Sequence, residues 1–411
     1  MSDISEMAPE RPPLHRNVKL LGWASCLNDI ASEMIFPLLP QYLMAMLGGN
    51  RFYLGVIEGV ADSIASLLKL WSGSWSDRAG SRRGFVISGY AIAALARPLI
   101  GLVTAPWQLF ATRIGDRIGK GIRTSPRDAM IADSTDPKSR GRAFGFHRGM
   151  DHLGAAIGPV LATAFLWMWP NQLRLMFLLT LIPGLIVVVI LLWGLKETPK
   201  LADPEANVEA ELQTRFKFSL RPFGRDFRIF LVALIVFSLG NSSDAFLLVR
   251  AGELGVATVY LPMLWFGFHV VKSVGNILFG QMVDKVGTRV PLVVGWLIYA
   301  AIYVAFAFAT AAWHSWIFFL LYGLYYAVTE PAEKTMVANL VGSDKIGLAF
   351  GWYNLAIGIA ALPASLLFGW LYQDFGPIVA FGFGASLAII AAVLLLAVRV
   401  PDLLSEQGVA A

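Results

Sequence analysis

Cysteine occurs once in the chain, at Cys26, so no internal disulfide can form and no cysteine pair is available to hold a metal. Charge is scarce as well: Asp, Glu, Lys and Arg make up 15% of the residues, against about 25% in soluble domains. No glycine-rich loop ending in Lys-Ser/Thr stands before a helix to cradle phosphate, and no nucleophile elbow is present. These absences argue against an enzyme and against ATP as the energy source, which leaves an ion gradient. The start, Met1 to Arg16, is polar and proline-rich. It lacks the short apolar core of a cleaved signal peptide, so it is expected to remain as a tail. No cofactor and no resident metal are expected.

What the chain does have is apolar sequence. Hydrophobic residues are 56% of the total, and the mean hydropathy is +0.62. A length of 411 residues accommodates about twelve crossings of roughly 20 residues each. Apolar runs predict helices near 18–47, 52–75, 84–104, 106–131, 143–167, 174–195, 227–249, 258–282, 290–312, 315–339, 348–372 and 377–399. Connectors after the even helices hold clustered bases, among them Arg78, Arg82 and Arg83, Lys138, Arg140 and Arg142, and Lys285 and Arg289. Those after the odd helices hold few, and the excess of Lys and Arg marks the cytoplasmic side. The expected protein is therefore an all-α, multi-pass protein of the inner (cytoplasmic) membrane with both termini in the cytoplasm. Its parts are a tail 1–17, a six-helix bundle 18–195, a linker 196–226, a second bundle 227–399 and a tail 400–411. The net charge of +5 is spent on topology, so no nucleic-acid partner is implied.

The two bundles are repeats of each other. Gly73-x-x-x-Asp77-Arg78-x-Gly80 returns as Gly280-x-x-x-Asp284-Lys285-x-Gly287, at a constant offset of 207 residues. Pro126-Arg-Asp128 returns as Pro331-Ala-Glu333, and Gly141-Arg-Ala-Phe144-Gly145 as Gly347-Leu-Ala-Phe350-Gly351. Duplicated bundles of this kind build alternating access in many secondary transporters.

Charges inside apolar helices are costly, about 2.5–3.5 kcal/mol each at mid-membrane on insertion scales, and so mark functional candidates. In the fourth helix Arg113, Asp116, Arg117, Lys120, Arg123, Arg127 and Asp128 recur at steps of three and four. They share one helix face, which must line a wet cavity or meet acids on its neighbours. Asp29 and Glu33 stand one turn apart on the first helix, Glu58 and Asp62 on the second with Lys69 two turns on, and His147 and Asp151 on the fifth. The second half is sparser, with Asp244, His269, Lys272, Glu330, Glu333 and Lys334. A bland role competes for every one of these, because intramembrane charges often form static ion pairs that only fix helix packing.

Gly73-x-x-x-Asp77-Arg78-x-Gly80-x-Arg82-Arg83 resembles the signature loop of the major facilitator superfamily. Arg117-x-x-Lys120-Gly121 is similar to the Arg-x-x-Gln-Gly motif of its drug:proton antiporters, with lysine in place of glutamine, and Gly154-x-x-x-Gly158-Pro159 to the exporter motif. Pro37-Leu-Leu-Pro40 also resembles the twelve-span antiporter pattern. The resemblance implies a monomeric secondary transporter in the lipid bilayer, working with protons or another coupling ion. It further implies that Arg117 tunes a nearby proton-carrying acid. The leading expectation is proton-coupled export of a small organic molecule, with Asp29, Glu33, Arg117 and Asp151 coupling protons. Arg113, Arg123, Arg127, Glu58, Asp62, Trp265, Tyr325, Glu330 and Trp352 are the substrate candidates, the rings as a wall or else as packing. Gly73, Asp77, Arg78, Gly80, Gly154, Gly158, Pro159 and Asp284 are expected to serve the conformational motifs. An alternative is an organic or phosphorylated anion, because arginine forks suit carboxylate and phosphate. Metal export would rest on His147, Asp151 and His152 alone.

Overall fold

Glycines end several of the helices, at Gly80, Gly287 and Gly376. The computed structural model describes residues 13–135, 140–197, 220–341 and 346–399. Both ends, most of the linker, Lys138 and Lys345 fall outside the described residues, as do the side chains of Asp77, Arg78, Asp284 and Lys285. The first half contains α1 (Arg16–Ile35), α2 (Arg51–Ala79), α3 (Arg83–Leu99), α4 (Pro106–Asp133), α5 (Arg140–Met168) and α6 (Leu173–Gly194). The second contains α7 (Arg225–Glu253), α8 (Leu261–Val286), α9 (Arg289–Phe308) and α10 (Ala312–Asn339). A run Ile346–Leu396 follows, and Gly376, at φ 80°, divides it into α11 before and α12 after.

Two helices differ from the sequence expectation. The first span is regular only to Ile35; Pro37 and Pro40 withhold backbone donors, and the chain continues through a 3-10 turn, Phe36–Leu38, and a π turn, Tyr42–Met46. The seventh is broken between Gly240 and Ala245, where Asn241 to Asp244 leave the helix.

The halves repeat in packing as well as in sequence. α1 packs on α5 and α6, α2 and α3 on α4, and α3 on α6; α7 packs on the α11–α12 run, α8 and α9 on α10, and α9 on the same run. α4 and α10 even start alike, from extended N-cap residues Ala105 and Ala311. Gln108 Oε1 accepts the backbone N–H groups of Thr104 and Ala105, and His314 Nδ1 accepts those of Thr310 and Ala311. The same orphan donors are thus satisfied by different side chains. Asn17 of α1 holds the backbone of Lys196 after α6, and Asp226 of α7 holds Arg399 N after α12.

The seam between halves runs along α2 with α11 and α5 with α8. The molecule is shut at the end away from the Gly73–Arg83 loop. There, Leu39–Gln41 meet Ala245–Glu253, and Leu39, Tyr42 and Leu54 share one apolar cluster with Phe246, Phe368 and Tyr372. Arg51 pairs with Glu253, which also accepts from Tyr372 Oη at 2.6 Å, and Arg51 N donates to Gln373 at 3.2 Å. At the loop end the buried apolar cluster of Val18, Leu21, Val86, Met130 and Leu191 belongs to the first half alone. Gly80 (φ 67°) ends α2 and Gly287 (φ 81°) ends α8 in a conformation that favours glycine.

Small residues set how closely the helices approach. A Cβ on Gly154 would lie 2.4 Å from Cys26 O, and one on Gly158 2.7 Å from Ile30 O, so α1 and α5 touch backbone to backbone. Pro159 lies inside α5 beside them. Gly154→Ala is expected to cost about 1–3 kcal/mol by overpacking and to lower the melting temperature in detergent. Gly149→Ala, with nothing within 4 Å of its Cβ, should melt at or above the parent. Equal melting of the two variants would show that the α1–α5 contact tolerates expansion.

Candidate functional site

On the charged face of α4, Arg113, Asp116 and Arg117 are buried in the first half and paired with its neighbours. Arg113 clamps Glu58 of α2, with Nη2–Oε2 at 2.8 Å and Nε–Oε1 at 3.0 Å. Asp116 accepts from Arg97 Nε of α3 at 2.8 Å and lies 3.5 Å from Arg113. Arg97 also donates to the backbone and side-chain oxygens of Asn28 in α1, both at 2.9 Å. Arg117 continues the chain, 4.0 Å from Glu58 and 3.4 Å from Asp62. Charges of alternating sign therefore run Arg97, Asp116, Arg113, Glu58, Arg117, Asp62 across three helices, and α4 supplies three of them because steps of three and four share a face. The cations that hold Glu58 and Asp62 come from α4, not from Lys69 on their own helix.

Both ends of this chain, Arg97 and Arg117 with Asp62, reach a cavity of about 440 Å³ on the seam. From the first half it is lined by Asp29, Glu33, Phe36, Asp62, Lys69, Arg97, Arg117, Lys120 and Arg123, among others. From the second half come Asn241 to Asp244 of the α7 break, Trp265, Tyr326, and Ile357, Gly358 and Ala361 of α11. Broken helix backbone is tolerated in a membrane where it lines such a cavity. Trp265 Nε1 donates to Glu33 Oε2 at 2.6 Å, a bond from α8 to α1 across the halves. His269 Nε2 lies 3.9 Å from the same oxygen. Ser63 Oγ donates to Gly358 O at 3.0 Å, a second crossing at the same level.

The predicted residues divide by place. Asp29, Glu33, Asp62, Arg117, Arg123 and Trp265 are brought together around the cavity. Arg113 and Glu58 are locked against each other behind its wall. Arg127 is held by Asp128 at 2.8 Å and Ser25 at 3.4 Å, while Asp151 stands on α5 near His147 at 3.6 Å and Arg148 at 3.9 Å. Tyr325 and Glu330 line a smaller cavity of about 250 Å³ within the second half, where Glu330 meets Lys334 at 3.0 Å and Lys272 at 3.5 Å. Trp352 is half-buried at the rim of the apolar cluster. Gly73 faces Ser125 of α4. Lys69, Lys120 and Asp244, which stand out in the sequence only as intramembrane charges, line the cavity as well. Arg97 joins them, and its one signal in the sequence is an arginine beside Pro98 in an apolar run.

Six stretches among the described residues are long and apolar enough to cross a membrane: Arg83–Leu102, Arg142–Met168, Leu173–Gly194, Arg225–Glu253, Arg289–Phe308 and Ala349–Leu396, the last holding two helices. α1, α2, α4, α8 and α10 fall short of that composition test, and all five contribute to the cavity wall. The profile of the Major Facilitator Superfamily matches residues 21–362 and again 250–409. The chain belongs to the Major Facilitator Superfamily. It is a multi-pass membrane transporter for a small molecule, not an enzyme. An uncharacterised MFS-type transporter of Methanocaldococcus jannaschii is 31% identical over 389 residues, 93% of this chain and 95% of the relative. The multidrug resistance protein MdtH of Photorhabdus laumondii is 28% identical over 130 residues, 32% of each chain. Among solved superfamily structures, a bacterial homologue of the human lysosomal transporter Spinster, inward-facing and unoccupied, superposes with a TM-score of 0.71 at 19% identity. That match covers 92% of this chain and 94% of the homologue, and it shows the shared fold.

Removing one partner from a buried ion pair leaves a charge uncompensated, at about 3–5 kcal/mol. Arg113→Ala should therefore lose most of the folded protein, as read by monodispersity and melting temperature. Arg113→Met with Glu58→Leu, which removes both charges at similar volume, should recover most of it. Failure of the double variant to recover would mean that the pair does more than neutralise itself.

Proposed function

We propose that this transporter couples proton entry to export of a small organic molecule by alternating access, with the 440 Å³ cavity as the substrate site. The loop end is the cytoplasmic end in this reading, because the connectors there hold the clustered bases. The described state is then closed to the outside. The partial likeness to a multidrug resistance protein supports export, and Gly154-x-x-x-Gly158-Pro159 on α5 supports it from within the chain. Bundles 18–195 and 227–399 move as the two halves of one monomer in the inner membrane, joined by the linker 196–226.

The observation that carries the coupling is the Trp265–Glu33 bond across the seam. An ionised carboxylate accepts a hydrogen bond roughly twice as strong as a neutral one does. Ionised Glu33 therefore holds α8 to α1 and favours the outward-closed state, whereas a proton on Glu33 loosens that tie. Asp29, one turn away in the same cavity, makes simultaneous ionisation of both carboxyls unfavourable. Asp29 serves as the auxiliary acid, with Arg117 and Asp62 beside it as fixed charge.

The test needs no substrate. A single cysteine replaces Leu54, buried at the closed end, with Cys26→Ser removing the native thiol, and its alkylation is followed against pH with the alkylation rate corrected for thiolate content. Labelling should rise as pH falls in the parent. In Glu33→Gln it should stay high and independent of pH. A Glu33→Gln variant with the parent's pH profile overturns the assignment of Glu33 as the coupling acid.

A further inference from the structure

We infer that the molecule carried is an organic anion, whose acidic group sits on a cationic shelf made by Lys69 of α2 with Lys120 and Arg123 of α4. The inference rests on the cavity being the substrate site and goes beyond it in naming the charge of the substrate. All three side chains line the first-half wall of the cavity, and Lys120 and Arg123 lie one turn apart on one face.

The charges around this cavity sort into those already satisfied and those not. Arg97 and Arg117 are engaged by Asp116 and Asp62. Each of the other three acids is held by a neutral donor: Asp29 by Asn28 Nδ2 at 2.9 Å, Glu33 by Trp265 Nε1 at 2.6 Å and Asp244 by Tyr322 Oη at 2.6 Å. Lys69, Lys120 and Arg123 have no carboxylate within 4.0 Å among the described residues. Arg123 is the informative member. It is 3% exposed, its Nε and Nη1 lack a hydrogen-bond acceptor among the described residues, and its guanidinium lies over the face of Tyr90 at 4.5 Å.

Buried guanidinium donors without acceptors are costly and uncommon, and three like charges on one wall repel each other. An oxyanion placed between them removes both costs. A cationic substrate would meet the three cations of this wall as repulsion. Phe36, Trp265, Tyr326 and Ile357 face the cavity as well and offer an apolar surface to the rest of the molecule. The volume of about 440 Å³ suits a ligand of roughly drug size. The geometry therefore describes an amphipathic anion, a carboxylate, sulfonate or phosphate on an apolar body.

The experiment is a matched-ligand titration of the purified full-length protein in detergent, at fixed pH and with no gradient. Naphthoate, naphthalenesulfonate and naphthyl phosphate are compared with naphthylmethylammonium and naphthalenemethanol, read by thermal stabilisation and by calorimetry. At least one anion should bind, and more tightly than the cation and the neutral alcohol. Lys120→Gln and Lys69→Gln should each weaken that anion on the order of tenfold, as expected for loss of a charged hydrogen bond, while Lys120→Arg retains it. Both glutamine variants should melt, ligand-free, at or above the parent's temperature, since neither lysine has a carboxylate to strand and each substitution removes a repelling charge. Equal or tighter binding of the ammonium compound, no binding by any anion, or full anion affinity in both glutamine variants each overturns the inference. Because no proton gradient enters the measurement, anion binding can stand even if Glu33 proves not to couple protons. Conversely, a pH-linked conformational change that survives a cationic preference would leave the coupling reading intact.

Discussion

The buried chain of alternating charge from Arg97 to Asp62 is the constraint on which the first half depends. Its charged side chains other than Asp62 are removed from water and would be prohibitively expensive singly. They persist because each carboxylate is matched by a guanidinium, most closely by the fork of Arg113 on Glu58 and by Arg97 on Asp116. The matching residues come from α2, α3 and α4, so those helices cannot slide or rotate independently without exposing an unpaired charge. Arg97 extends the same restraint to α1 through Asn28. The result is a rigid wall whose two ends, Arg97 and Arg117 with Asp62, face the cavity.

The second half reaches rigidity by other means. Its interior is aromatic: Phe237 stacks on Trp296 at 4.7 Å, Tyr299 on Tyr303 at 4.1 Å, and Tyr322, Tyr325 and Tyr326 fill the space between α9, α10 and the cavity. Rings interlock by shape and tolerate the absence of charge. The two repeats thus keep the same helix pairing while their cores have diverged into a charged half and an aromatic half. The cavity lies where these chemistries meet, and one bond, Trp265 to Glu33, joins the aromatic half directly to an acid of the other. The tight backbone contacts of Gly55 and Gly59 of α2 against Ser365 and Leu362 of α11 keep the seam narrow enough for that bond to span it.

The sequence by itself determined the architecture. A helix in lipid must satisfy its own backbone, so long apolar runs and a repeat offset of 207 residues were enough to specify twelve helices in two bundles. It also placed the charged face of α4 away from lipid, because periodicity fixes which residues share a face. It could not tell which of those charges would be spent on one another. Arg113 and Arg123 look equivalent along the chain, three turns apart on one stripe, yet Arg113 is consumed by Glu58 from α2 while Arg123 lies over the ring of Tyr90. That difference depends on how α2, α3 and α4 are rotated about their axes, which is set by packing between segments distant in sequence. The break in α7, the junction of Glu33 with Trp265 across 232 positions of chain, and the closure at Arg51 and Glu253 were decided the same way. Each exists only once two separately folded faces meet, and no local pattern of residues records that meeting.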